Sequence, residues 1–265
     1  MKKKNKIVGI VAIVIAIVLV LFLVVRYIQY QRQINKNEEL MNHLAEETES
    51  EIEVTVLPTD QTESVSENQT IEKKHDFKVL KQTNEDIYAW IIVPDTQVDY
   101  PILQSSTDNK YLDTNIDGSK GYPGCIYTNS CNNKNFEDYI TVVYGHNMKS
   151  GEMFGSLHNF DEEDFFDSFE TYTVETETAC LTYSVYAAVN YNDKLIPAYY
   201  DVKSASGRDE FIASLEECRG NSLTHFNDDI TISGEDKVLV LSVCIGGQDT
   251  RRYLIVSKLE KVVAF

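Results

Sequence analysis

The feature that most restricts this chain is an unbroken apolar run from Ile7 to Val25, 19 residues without a charge or a side-chain amide. As a helix rising about 1.5 Å per residue it reaches roughly 28 Å, the thickness of a bilayer's hydrocarbon core. The run predicts a membrane span. A cleavable signal peptide is the competing reading, but its apolar region usually covers about 7–15 residues and ends at a small-residue cleavage site. Here Arg26, Tyr27 and Ile28 follow instead, which favours an uncleaved anchor. Lys2, Lys3, Lys4 and Lys6 crowd the short N-terminal flank. Such cations stay on the cytoplasmic side of a span, so everything after Val25 is expected outside the cell.

Charge follows the same division. Residues 1–36 hold seven basic residues and no acid, residues 37–72 hold eleven acids and no Lys or Arg, and residues 73–265 carry −14 of the net −18. A chain so acidic lacks the clustered cations that phosphate contacts need, so nucleic acid is not expected as a partner. Twelve Gly, five Pro and five Cys in 265 residues exclude collagen-like, mucin-like and disulfide-framework classes. Residues 26 to about 43 can prolong the helix beyond the membrane. From Glu46 to Thr70 the composition turns to Glu, Thr, Ser and Gln with isolated Val, Ile and Leu, too little apolar surface to offset the entropy of ordering. The expected organisation is a cytoplasmic tail at 1–6, a transmembrane anchor at 7–25, an extracellular stalk or linker at 26–75 and a globular domain at 76–265. The stalk reads as a solvated spacer.

Within the domain, runs rich in Val, Ile, Tyr and Thr predict strands at 91–93, 98–100, 102–103, 125–128, 139–144, 172–177, 179–190, 237–244 and 253–259. Pro94 and Pro101 are expected to break the first of these. Helical spacing is found at Asn84 to Trp90, at Asp161 to Phe169 after Asn159, and at Gly207 to Cys218, where Phe211, Ile212 and Leu215 share a face. Many short strands with few helices suggest a closed barrel or a sandwich.

Two residues stand where chemistry is possible. Cys244 ends the strand Val238-Leu-Val-Leu-Ser-Val-Cys244, and a polar loop, Ile245 to Thr250, separates it from Arg251-Arg252-Tyr253 and the last strand. A short connection between adjacent strands would bring a guanidinium beside the thiol. Because a free cysteine of pKa about 8.5 is only a few per cent thiolate at neutral pH, a neighbouring cation matters for its reactivity. His146 lies just past Thr141-Val-Val-Tyr-Gly145, where a strand stops and a side chain can enter a cleft. A Cys and a distant His are the components of a thiol acyl-transfer site, one to attack and one to move protons.

At these residues the chain resembles a known family. Tyr144-Gly-His-Asn-Met148, Met153-Phe154 with Leu157, and Leu241-Ser-Val-Cys244 with an Arg eight positions on look like a class B sortase, a cell-wall cysteine transpeptidase of Gram-positive bacteria. Trp90-Ile-Ile-Val-Pro94, Val98-Asp-Tyr-Pro101 with Gln104, Tyr111-Leu112, and Gly124 with Ile126 match its N-terminal half in order. The likeness covers roughly residues 76–265. It implies a mainly β fold, a closed sortase-type barrel of about eight strands with an N-terminal helix and a helix inserted before the last two strands. It also implies Cys244, His146 and Arg252 as catalytic residues, with Arg251 as the runner-up for the guanidinium. Neighbours in a strand point to opposite faces, so only one Arg should enter the site.

The reaction so implied cleaves a C-terminal sorting signal of a secreted protein through a thioester and joins the new carboxyl to an amine, of a peptidoglycan precursor or of a pilin Lys. No metal or organic cofactor is implied. In the family's Thr-Leu-x-Thr-Cys pattern both Thr positions are Val here, Val240 and Val243, and an Asp common after the Gly-x-Ile motif is Asn129. No catalytic carboxylate is therefore assigned. A Cys-His peptidase and a surface binding module with an incidental thiol are the alternatives. Cys125 and Cys180 read as buried structural thiols, although Cys125 and Cys131 are close enough in sequence to pair. Asp161 to Asp164 read as a solvated helix start rather than a Ca²⁺ site. His43, His75, His158 and His225 read as surface residues.

Overall fold

A computed structural model describes residues 2–49 and 73–265, with side chains from 13 to 46 and from 73 onward. The greater part of the expected stalk, 50–72, lies outside the described residues. The first helix, α1 (Lys2–Glu49), contains the apolar run and continues well past it. It is long and apolar enough to cross a membrane, with a mean hydropathy of 2.5 over its most apolar window. Residues 26–49, expected as the start of a linker, are helical, and part of them is docked: Ile34, Asn37, Met41 and Leu44 recur at helical spacing and are buried against the domain.

A short helix, α2 (Phe77–Thr83), capped by the Asp76 side chain, leads into the sheet. Its nine strands are β1 (Ile87–Val93), β2 (Val98–Leu103), β3 (Ile126–Thr128), β4 (Ile140–Tyr144), β5 (Thr171–Thr176), β6 (Ala179–Asn192), β7 (His225–Phe226), β8 (Val238–Ile245) and β9 (Gln248–Ala264). Hydrogen bonding runs in the order β5-β1-β2-β3-β4-β8-β9-β6, and β6 pairs back onto β5 to close an eight-stranded barrel. The two-residue β7 pairs with β6 at Ala187 and Ala188, beyond the stretch that β5 covers. Closure leaves few open edges, the usual solution for a domain of many short strands. The pairs β2–β3 and β4–β8 are parallel and the others antiparallel. Helix α3 (Glu163–Ser168) follows a 3₁₀ turn at Gly155–Asp161, and α4 (Ile196–Tyr199) with α5 (Ala205–Glu216) fill the connection before β8.

Two expectations are corrected. Asn84 to Trp90 does not form a helix; β1 begins at Ile87, because Ile87 to Ile91 are buried without a break and from Ala89 onward pair with β2 on one side and β5 on the other. A strand covered on both faces shows no alternation, which hides it from a pattern search. Pro101 does not break β2 either. It pairs with Trp90, and β3 begins only opposite Ile102, so the proline sits where one edge of β2 has no strand partner.

Alternation along β8 sorts its side chains. Leu239, Leu241, Val243 and Ile245 join the barrel interior, whereas Val238 and Val240 pack in a second apolar layer with Phe211 and Leu215 of α5. By the same alternation Ser242 and Cys244 lie on the outer face, where β8 runs out of cover.

Candidate active site

Cys244 is exposed at the end of β8 and directly opposite Arg252 of β9 in the antiparallel ladder. Residues opposed in such a ladder project to one face with their Cβ atoms about 4.5–5.5 Å apart, so sulfur and guanidinium share the outer surface. Arg251 belongs to the other face. There its Nε donates to Asn190 Oδ1 at 2.7 Å and its Nη2 to the Asn190 carbonyl. Arg252 Nη1 donates to the carbonyls of Asp249 and Arg251, at 3.1 and 2.8 Å, which steadies the guanidinium while using only one of its nitrogens.

His146 arrives from the opposite side. Parallel β4 pairs Tyr144 with Ser242, and Gly145 N donates to the Ser242 carbonyl at 3.2 Å. Carrying that register on two residues brings His146 level with Cys244. The imidazole is half-buried and its Nε2 donates to the Leu112 carbonyl at 2.7 Å. That bond fixes the proton on Nε2 and leaves Nδ1 to exchange one. The Tyr122 ring tilts against the imidazole with centroids 5.0 Å apart. Burial, then the neighbouring Tyr30, Glu152 and Cys244, push the Tyr122 phenol up to about 12.

Behind the thiol lies a cluster that sequence reasoning did not find. The Cys244 carbonyl accepts from Asn147 Nδ2 at 2.9 Å and faces His158 Nε2 at 3.2 Å, while His158 Nδ1 contacts Asp161 Oδ2 at 3.2 Å. His158 also stacks on Tyr253, 5.1 Å between centroids. Burial lowers the pKa of His158, but the hydrogen bonds to Asp161 and to the Cys244 carbonyl, with the charge of Asp161, outweigh it and raise the group above its ordinary value. These side chains form one wall of an open cavity of about 730 Å³ that also touches Gln97, Ser156 and Gly246.

The surface reading of the histidines is thus corrected at three positions. His158 supports the strand end that carries Cys244. His75 is 2% exposed, stacked on Trp90 and bonded to Glu175, and half-buried His225 contacts the Asp161 carbonyl. His43 is exposed. All five cysteines are free thiols; Cys125, Cys180 and Cys218 are buried, and Cys131 is exposed and unpaired with Cys125. Among the described residues no group of His, Cys, Asp or Glu is arranged to hold a metal. Gln104 is structural, bracing Thr128, Asn129 and Asn132 through its amide.

No family model matches the chain. Sortase B of Listeria monocytogenes is 29% identical over 173 residues, which are 65% of this chain and 68% of that protein. The crystal structure of Clostridium perfringens sortase B is 30% identical with a TM-score of 0.61, covering 70% of this chain and all of that one (100%). That of sortase B from Bacillus anthracis has a TM-score of 0.66 at 26% identity, covering 86% and 98%. These likenesses, joined to a closed barrel with a thiol at a strand end, define a sortase-type cysteine transpeptidase. Within that class the chain belongs to the class B sortases.

Proposed function

We propose that this sortase cleaves the C-terminal sorting signal of secreted proteins with Cys244 as nucleophile, His146 as proton carrier and Arg252 as oxyanion donor. The Cys244 thiolate attacks the Thr carbonyl of the signal; the tetrahedral oxyanion collapses to a thioester and expels the downstream segment as an amine. His146 Nδ1 delivers the proton that amine needs, then removes one from the incoming amine that resolves the thioester into a new amide. Arg252 meets the oxyanion with fixed charge and donors other than the Nη1 already engaged, a role for which a rigid fork is better suited than an ammonium. The observation that carries the reading is the register: Cys244 opposite Arg252 on one strand neighbour and level with His146 on the other.

Residues 7–25 anchor the enzyme, with the barrel on the outer side, where secreted clients and wall or pilin amines are met. The full chain in detergent, given a library of fluorogenic sorting-signal peptides, is expected to release product only with Cys244 intact and to form an amide-linked adduct when an amine is supplied. Hydrolysis unaffected by every amine tested would instead identify a Cys-His peptidase. Full activity in Cys244→Ala would remove the thiol mechanism.

A further inference from the structure

Both contacts on the His146 ring come from one loop, and that loop is held by α1. The Leu112 carbonyl and the Tyr122 ring bracket the imidazole. Between and beside them, Gln33 Nε2 donates to the Lys120 carbonyl at 2.8 Å, Lys36 Nζ pairs with Asp117 at 2.7 Å, and Asn37 Oδ1 accepts from Ile116 N at 3.4 Å. The fit is close: a Cβ at Gly121, where φ is +134°, would run into the Gln33 amide. Tyr30 completes the contact, its ring stacked on Tyr122 with centroids 5.5 Å apart at 22°. A cavity of about 640 Å³ remains between this face of α1 and residues 147–152. Tyr30 is five residues beyond Val25, about 8 Å along the helix axis, so the aromatic stack starts at the membrane surface.

We infer that the anchor helix is a working part of the active site, with Tyr30 positioning His146 through the ring of Tyr122. The inference rests on His146 as the proton carrier. Stacking confines the Tyr122 ring, and that ring with the Leu112 carbonyl confines the imidazole, holding Nε2 on the carbonyl and leaving Nδ1 for the proton transfers. Tyr30 touches no reacting atom; it is a positioning residue, and its effect falls on kcat rather than KM.

The test compares the full chain with Tyr30→Ala, Tyr30→Phe and Tyr27→Ala in detergent micelles. Turnover of a sorting-signal peptide is followed alongside the ring ¹³C resonance of His146, assigned with His146→Ala. Tyr30→Ala is expected to lower kcat about threefold to tenfold, the size of one aromatic contact, with KM unchanged and the His146 resonance displaced. Tyr30→Phe keeps the ring and should restore both, and Tyr27→Ala, one turn nearer the membrane, should match the parent. Should Tyr30→Ala not fold, Tyr30→Leu carries the same expectation. Parental kcat and an unmoved resonance in the Ala or Leu variant would overturn the inference, as would a Phe variant as impaired as Ala. A parent that turns over no peptide would refute the proposed function, while the resonance would still decide the role of Tyr30.

Discussion

Cys244 and Arg252 face each other because β8 and β9 are joined by a tight connection whose register opposes them, and the same pleat turns Arg251 away. The proposed mechanism therefore gives the two arginines different tasks. Arg252→Ala is expected to lower kcat/KM about 10²- to 10³-fold, the usual cost of losing an oxyanion donor, and Arg252→Lys to recover little of it. Arg251→Ala should leave kcat within a few-fold and lower the melting temperature instead, since it strips Asn190 of its partner; equal and mild losses in both variants would contradict the assignment. His158 provides a second residue-level test. Its pKa is raised in the folded protein, so it binds more proton there than when unfolded. Its contribution to stability is then complete below about pH 6.5, the unfolded value, and fades as pH rises through the folded one. Thermal melts should show His158→Ala destabilised relative to the parent at pH 5.5, with the gap narrowing by pH 8.5. A gap that widens with pH would refute the sign.

The elements differ in how openly the sequence announces them. β8 was legible because six apolar or small residues run without a break to a thiol and a polar loop, and α5 because Phe211, Ile212 and Leu215 share a helical face. Phe211 is fully buried and Ser204 caps the helix by accepting from Gly207 N at 3.1 Å. Phe211→Ala is accordingly expected to cost about 3–5 kcal/mol in chemical denaturation and Ser204→Ala about 1 kcal/mol. Cys244 and His146 could be picked out because each ends a strand, and the resemblance then joined them. The Asn147, His158 and Asp161 cluster could not: Asn147 and His158 meet a backbone carbonyl 97 and 86 positions further on, Asp161 joins only through His158, and no side-chain pattern encodes a carbonyl. Nor could the docking of α1, whose buried residues Ile34, Met41 and Leu44 are spaced among Glu, Asn and Lys and yield a weak amphipathic signal beside the apolar run before them. Tertiary contact, not local pattern, decides both.

At the scale of the molecule, one helix long and apolar enough to cross a membrane continues to the barrel and packs against the loop that contacts His146. If the four N-terminal lysines hold the proposed anchor with the barrel outside, protease added to intact cells is expected to remove the barrel, and protection of the barrel until lysis would contradict that topology. The net charge of −18 adds a long-range preference for neutral or basic partners, weakened by salt over a Debye length of about 8 Å at physiological ionic strength. The central claim, that this barrel transfers acyl groups through a single sulfur, is tested most directly by mass spectrometry of the enzyme trapped during turnover of a sorting-signal peptide without an amine. The account predicts an acyl mass on the peptide containing Cys244, released by hydroxylamine and absent from Cys244→Ala. An acyl group on any other residue, or product formed with Cys244 never modified, would contradict it.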